Sequence, residues 1–203
     1  MKVKTGLAIP MMAVMSARAG QAELMVEEKV EQELVVYIEN DASVPNPVLF
    51  RAKALAAEMF DGVGVWIDWR AGQQAESQLL REEAIAVRLA RHTPKKFKPG
   101  GVAFAFPYGE ADITVLYDRL AWSEQSPGLA PALLAHVLVH EITHKLQGIC
   151  RHSSAGIMKS NWTEDDYYDM QKKTLSFASE DVELIHLGLA QRHTGAREVA
   201  LEH

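Results

Sequence analysis

The chain reads as an α+β protein, and three observations predict it. Short segments rich in β-branched and aromatic residues, some alternating apolar with polar, recur through the first 117 residues. An apolar-rich run with no internal Gly or Pro then occupies residues 131–147. Two helix-start signatures follow, near Thr163 and Ser179. A strand, a helix and further strands, followed by helices, is an α+β layout.

The elements can be justified in order. Residues 34–38 (Leu-Val-Val-Tyr-Ile) are β-rich and read as a strand. Pro45 and Pro47 open a helical run to about Phe60, because proline fits a first turn whose N–H groups lack helical partners anyway. Residues 63–69 form a second strand. Ile85, Val87 and Leu89 alternate with Ala86 and Arg88, a period of two that predicts a third. Residues 93–100 make a basic loop, and 102–106 and 113–117 supply two more strands. The helix over 131–147 ends at Gly148, where a left-handed cap belongs. Beyond it Thr163 caps a helix whose first turn holds Glu164, Asp165 and Asp166. Ser179 reads as the N-cap of a last helix, with Glu180 and Asp181 as early acids that favour the helix dipole.

Composition sets the outer bounds. With 203 residues, 48% of them hydrophobic and 24% charged, the chain is expected to form one globular domain over residues 23–200. A net charge of −6 argues against a nucleic-acid surface. One cysteine excludes an internal disulfide framework. Residues 1–22 resemble a secretory signal peptide, with a basic start, an apolar stretch over 6–15 and small residues after it. An amphipathic N-terminal helix is the competing reading. The apolar stretch is too short to span a bilayer, and a secreted or periplasmic location is expected. Residues 201–203 (Leu-Glu-His) read as a tag remnant.

The chemistry concentrates in residues 140–144, His-Glu-Ile-Thr-His, with His152 eight residues on and Gly156-Ile157-Met158 after it. Helix positions i and i+4 share one face, so His140 and His144 can both turn an imidazole to one metal ion. Glu141 then stands beside the ion without being needed as a ligand, free to act on water. The bland reading is a core helix with two satisfied histidines.

The run H-E-I-T-H-K-L-Q-G-I-C-R-H-S-S-A-G-I-M resembles the active-site segment of metzincin zinc peptidases, most of all the matrixin branch. The resemblance implies that His140, His144 and His152 hold one zinc ion per chain. It further implies that Glu141 is the general base and Met158 the residue of a Met-turn below the metal. Upstream, G-V-A-F-A-F-P and G-E-A-D-I over 101–113 are similar to the matrixin edge strand, so Val102, Ala103, Phe104 and Ala105 would line an extended peptide or protein substrate. The implied fold is a zincin: a twisted mixed sheet, a backing helix, an active-site helix, and a small helical C-terminal subdomain after the Met-turn.

The chain also departs from that pattern. The family's Gly stands three residues after the second His and its third His six after. Here Gly148 is four after His144 and His152 eight after, so the loop is two residues longer. Cys150 occupies the usual place of the third His and is a rival ligand, its alternative role being a small buried hydrophobe. Glu164, twenty residues past His144, is another rival, at the spacing of thermolysin-like peptidases, with first-turn acid as its alternative. His152 is preferred because it precedes Ser153 and the Met-turn at about the family's spacing. Phe104 replaces an accessory-metal histidine of matrixins, so no calcium requirement is expected. Lys159 follows Met158, which removes the tyrosine oxyanion donor that some metzincins have.

Three further features invite a role. His136, one turn before His140, is a supporting group or a satisfied helix residue; Trp162 walls a pocket or packs in the core. The basic residues over 95–98 either attract acidic substrates or are simply solvated. The function expected is a zinc metalloendopeptidase. The alternative is a zinc-binding scaffold without turnover, against which Glu141 counts, since a structural zinc site needs no base.

Overall fold

The computed structural model describes residues 32–72, 84–93, 103–104, 113–126 and 128–201. The expected signal segment and the basic residues over 95–98 lie outside these residues, as do Val102 and Ala105 of the substrate strand.

Strand β1 (Gln32–Glu39) buries Leu34, Val36 and Ile38 and turns the residues between them outward. Strand β3 (Ile85–Ala90) does the same with Ile85, Val87 and Leu89. With this period of two, one face of the sheet is buried among the described residues and the other is more open, unlike parallel sheets buried on both faces. Helix α1 (Asn46–Asp61) connects β1 to β2 (Val65–Ala71), which lies parallel to β1. The second strand begins two residues later than the apolar run suggests, because Gly64 adopts φ 81° in the turn that leaves α1.

Among the described residues, five strands run in the order β2-β1-β3-β5-β4. All neighbours are parallel except β4 (Ala103–Phe104), which is antiparallel to β5 (Ile113–Leu116) and closes one edge. The sheet is therefore mixed. After β5, short 3-10 turns at Tyr117–Arg119 and Ala121–Gln125 lead into helix α2 (Leu129–Gln147).

Helix α2 is the central element. Of its nineteen residues, only His140, Lys145 and Gln147 are not buried, the pattern of a helix surrounded by protein. It packs against α1 on one side and against α4 (Ser179–Leu201) on another, with α3 (Glu164–Met170) nearby. It starts two residues earlier than expected, after Gly128, and stops as expected at Gly148, whose φ of 66° costs a residue without Cβ little. Sheet and helices share one apolar core, including Val36, Phe60, Leu89, Leu138, Ile142 and Ile185.

The later helices begin by different devices. Thr163 caps α3 with a complete capping box shared with Asp166. In α4, the Ala178 carbonyl accepts the first helical N–H bonds, from Asp181 and Val182. Ala178 thus stands in the N-cap place read for Ser179, which is the first helical residue. No helix among the described residues is long and apolar enough to cross a membrane.

Candidate metal centre

One turn of α2 sets His140 and His144 side by side, with ring centroids 4.7 Å apart. The left-handed Gly148 then turns the chain so that His152 returns to the same place, 5.3 Å from the His140 ring and 5.0 Å from the His144 ring. Each of the three histidines offers a nitrogen, and these nitrogens all lie within 4.8 Å of one another. Cys150 and Glu164 are outside this cluster. Cys150 is exposed, in the loop that follows the Gly148 cap, and is not the buried hydrophobe that its alternative reading made it. Glu164 is an exposed first-turn residue of α3.

Backbone carbonyls hold two of the rings. His140 Nδ1 lies 2.9 Å from the Ile157 oxygen, and His144 Nδ1 lies 3.2 Å from the Ile149 oxygen. A carbonyl only accepts, so each Nδ1 carries the proton and each Nε2 keeps its lone pair. Those two Nε2 atoms face each other at 3.1 Å. Two lone pairs so close repel unless a cation lies between them. Two nitrogens on one tetrahedral zinc at ~2.0–2.1 Å would stand about 3.3 Å apart, so the donor set fits such an ion.

Burial tunes the same groups. Removal from water pushes the His140 pKa down to about 4 and lowers that of His144, favouring the neutral imidazoles that bind metals. Glu141 is 8% exposed, and burial raises its carboxyl to about 7. No charged partner among the described residues offsets that burial.

The neighbours divide clearly. His136 is a satisfied helix residue: fully buried, its Nδ1–H donates to the Ala132 carbonyl at 2.7 Å and its Nε2 accepts the Leu175 N–H at 3.0 Å. Trp162 packs edge-on to both His140 and His136, at 5.7 and 6.2 Å, so it belongs at once to the core and to the wall of the site. Met158 is fully buried, and its carbonyl accepts the Ser153 N–H at 2.8 Å. Lys159 pairs with Asp166.

One group escaped the sequence reading. Asp181, taken for a dipole-favouring acid, is fully buried and accepts hydrogen bonds from Arg151 and Ser153, on either side of His152. A signal for it exists. Asp181, Ile185, Gly188 and Leu189 fall at i, i+4, i+7 and i+8, the buried stripe of α4.

No protein-family model matches the chain, and no curated protein matches it in sequence. The fold does have a solved counterpart. It is similar to archaemetzincin from Methanopyrus kandleri, with a TM-score of 0.50 and 15% sequence identity. The similarity covers 82% of this chain and 99% of that one. The fold is thus of an archaemetzincin-like type, and three of its histidines are placed to bind a metal ion.

Proposed function

We propose that the chain is a zinc-dependent endopeptidase of the metzincin type, with His140, His144 and His152 as metal ligands and Glu141 as general base. The observation that carries this reading is the convergence of three imidazole nitrogens within 4.8 Å, two of them from the helix that also carries the buried Glu141, on an archaemetzincin-like fold. Zinc held there supplies a Lewis acid that polarises a peptide carbonyl and acidifies water.

The chain's own residues perform the remaining work. The Ile157 and Ile149 carbonyls keep His140 and His144 in the tautomer that presents Nε2. Glu141 takes the proton of the attacking water and returns it to the leaving amine. A carboxyl already destabilised as an anion by burial is a stronger base than one in water. Met158, which is fully buried and follows the Ile157 whose carbonyl holds the His140 ring, serves as the Met-turn residue. Strand β4 stands at the end of the sheet order, where Ala103 and Phe104 pair on one side with β5 and offer the other to an extended substrate. The closer kinship with matrixins rests on the sequence of the zinc segment and of this strand.

The test is cleavage of a broad peptide library by the purified protein. Chelator-sensitive cleavage is expected, with Glu141→Gln reducing kcat by ~100-fold or more while zinc stays bound. Zinc content should fall in His152→Ala and persist in Cys150→Ala and Glu164→Ala. Stoichiometric zinc with no cleavage of any peptide would overturn the peptidase reading in favour of a scaffold.

A further inference from the structure

The three histidines are not held alike. His140 and His144 sit on a buried helix, and a backbone carbonyl fixes each ring. His152 is exposed, on a loop beyond the end of that helix, and among the described residues no hydrogen bond reaches its ring. Something else must determine where this imidazole stands.

The residues on either side of it converge on a single carboxylate. Arg151 Nη1 donates to Asp181 Oδ1 at 2.7 Å, and Ser153 Oγ donates to Asp181 Oδ2 at 2.7 Å. Arg151 also pairs with Glu180, one residue earlier on α4. Gln147, the last residue of α2, places its side-chain amide 3.4 Å from the Asp181 backbone oxygen and 3.5 Å from Oδ1. Asp181 is 0% exposed and lies on the same stripe as Ile185 and Leu189. An aliphatic residue there would simply continue the stripe, whereas a buried carboxylate must be matched by donors. Both of its oxygens are matched, by the two neighbours of His152. The Ser153 N–H is bonded in turn to the Met158 carbonyl, so the loop is tied to α4 by side chains and to Met158 by backbone.

We infer that Asp181 is a positioning residue for the third metal ligand: through Arg151 and Ser153 it holds His152 over the pair on α2. A carboxylate with two oxygens aimed at residues 151 and 153 fixes the residue between them at both ends. This device suits a ligand loop two residues longer than the usual one, which has more freedom to lose. The inference rests on the reading of the three histidines as metal ligands.

Zinc affinity, measured by competition with a chromophoric chelator, tests it on the full chain. Asp181→Asn is expected to weaken zinc binding ~10–100-fold, the usual effect of removing a group that orients a ligand, and Ser153→Ala to weaken it less. The cobalt-substituted Asp181→Asn protein should show an altered visible spectrum, because one imidazole is displaced. In a His152→Ala background, Asp181→Asn should add nothing further, since its effect runs through that ligand. A folded Asp181→Asn with wild-type zinc affinity would overturn the inference, as would an equal loss with and without His152. If Asp181→Asn does not fold, Ser153→Ala with unchanged affinity overturns it in the same way. Failure of the wild type to bind zinc at all would instead sink the metal reading, and this inference with it.

Discussion

His136 shows how a buried imidazole can be a structural part beside a chemical one. Both ring nitrogens are satisfied, one by the Ala132 carbonyl and the other by the Leu175 N–H. Protonating Nε2 would displace that N–H inside the core, and burial accordingly lowers the pKa below its ordinary value. The unfolded chain therefore binds more protons than the folded one as pH falls through ~6.5. The stability His136 contributes is fully present above that pH and is lost as pH drops towards the folded pKa. His140 and His144 share this direction in the metal-free protein, so the effect of His136 must be isolated by difference. His136→Gln is expected to cost ~1–3 kcal/mol at pH 7.5, the scale of leaving buried polar groups unpaired. Its gap from the wild type should narrow in urea melts at pH 5. A gap constant across that range would refute the protonation account. From the sequence, His136 and His140 looked alike, being one turn apart. They differ through Leu175, 39 residues beyond His136, a contact that no local spacing reveals.

At the scale of elements, the helices and strands were legible because each carries its own signal. The alternation in β3, the capping box of Thr163 and the left-handed Gly148 are local facts that tertiary packing left in place. The pairing of His140 with His144 was legible for the same reason, since i and i+4 need only a helix. Packing between elements was not legible, and Gly188 shows why. A Cβ on this residue of α4 would lie 1.7 Å from the Leu146 backbone oxygen of α2, so the two helices touch where only glycine fits. Helix propensity alone would favour alanine at position 188 by about 1 kcal/mol. The close approach reverses that sign, because a backbone carbonyl in the second helix cannot rotate aside as a side-chain end can. Gly188→Ala is expected to lower unfolding stability by ~1–3 kcal/mol, the cost of forcing extra volume into a packed site. Chemical denaturation decides it: a more stable variant would mean that α2 and α4 separate freely there.

For the molecule as a whole, the question is how far the fold depends on a metal. The apolar core runs from β1 through α1 and β3 to α2 and α4, and none of its residues is a candidate ligand. The candidate ligands come instead from one turn of α2 and a loop eight residues further on. Closing so short a loop removes little chain entropy, so the ion contributes mainly local order rather than the fold itself. Zinc should therefore stabilise by mass action, by about 4 kcal/mol when its free concentration is ~1,000 times Kd. In a chain of this size each kcal/mol moves the melting temperature by ~2–4 °C, so stripping zinc should lower it by about 8–16 °C. The stripped protein should keep its far-ultraviolet circular dichroism. Its hydrogen exchange should quicken chiefly over residues 148–159, where Gly148, the histidine loop and the Met158 turn lie. Protection in β1, β3 and the first turns of α2 should change little, because their bonds are buried away from the ligands. Loss of secondary structure on chelation would mean instead that the ion is part of the core's stability. An unmoved melting temperature at saturating zinc would show that the three histidines do not bind it.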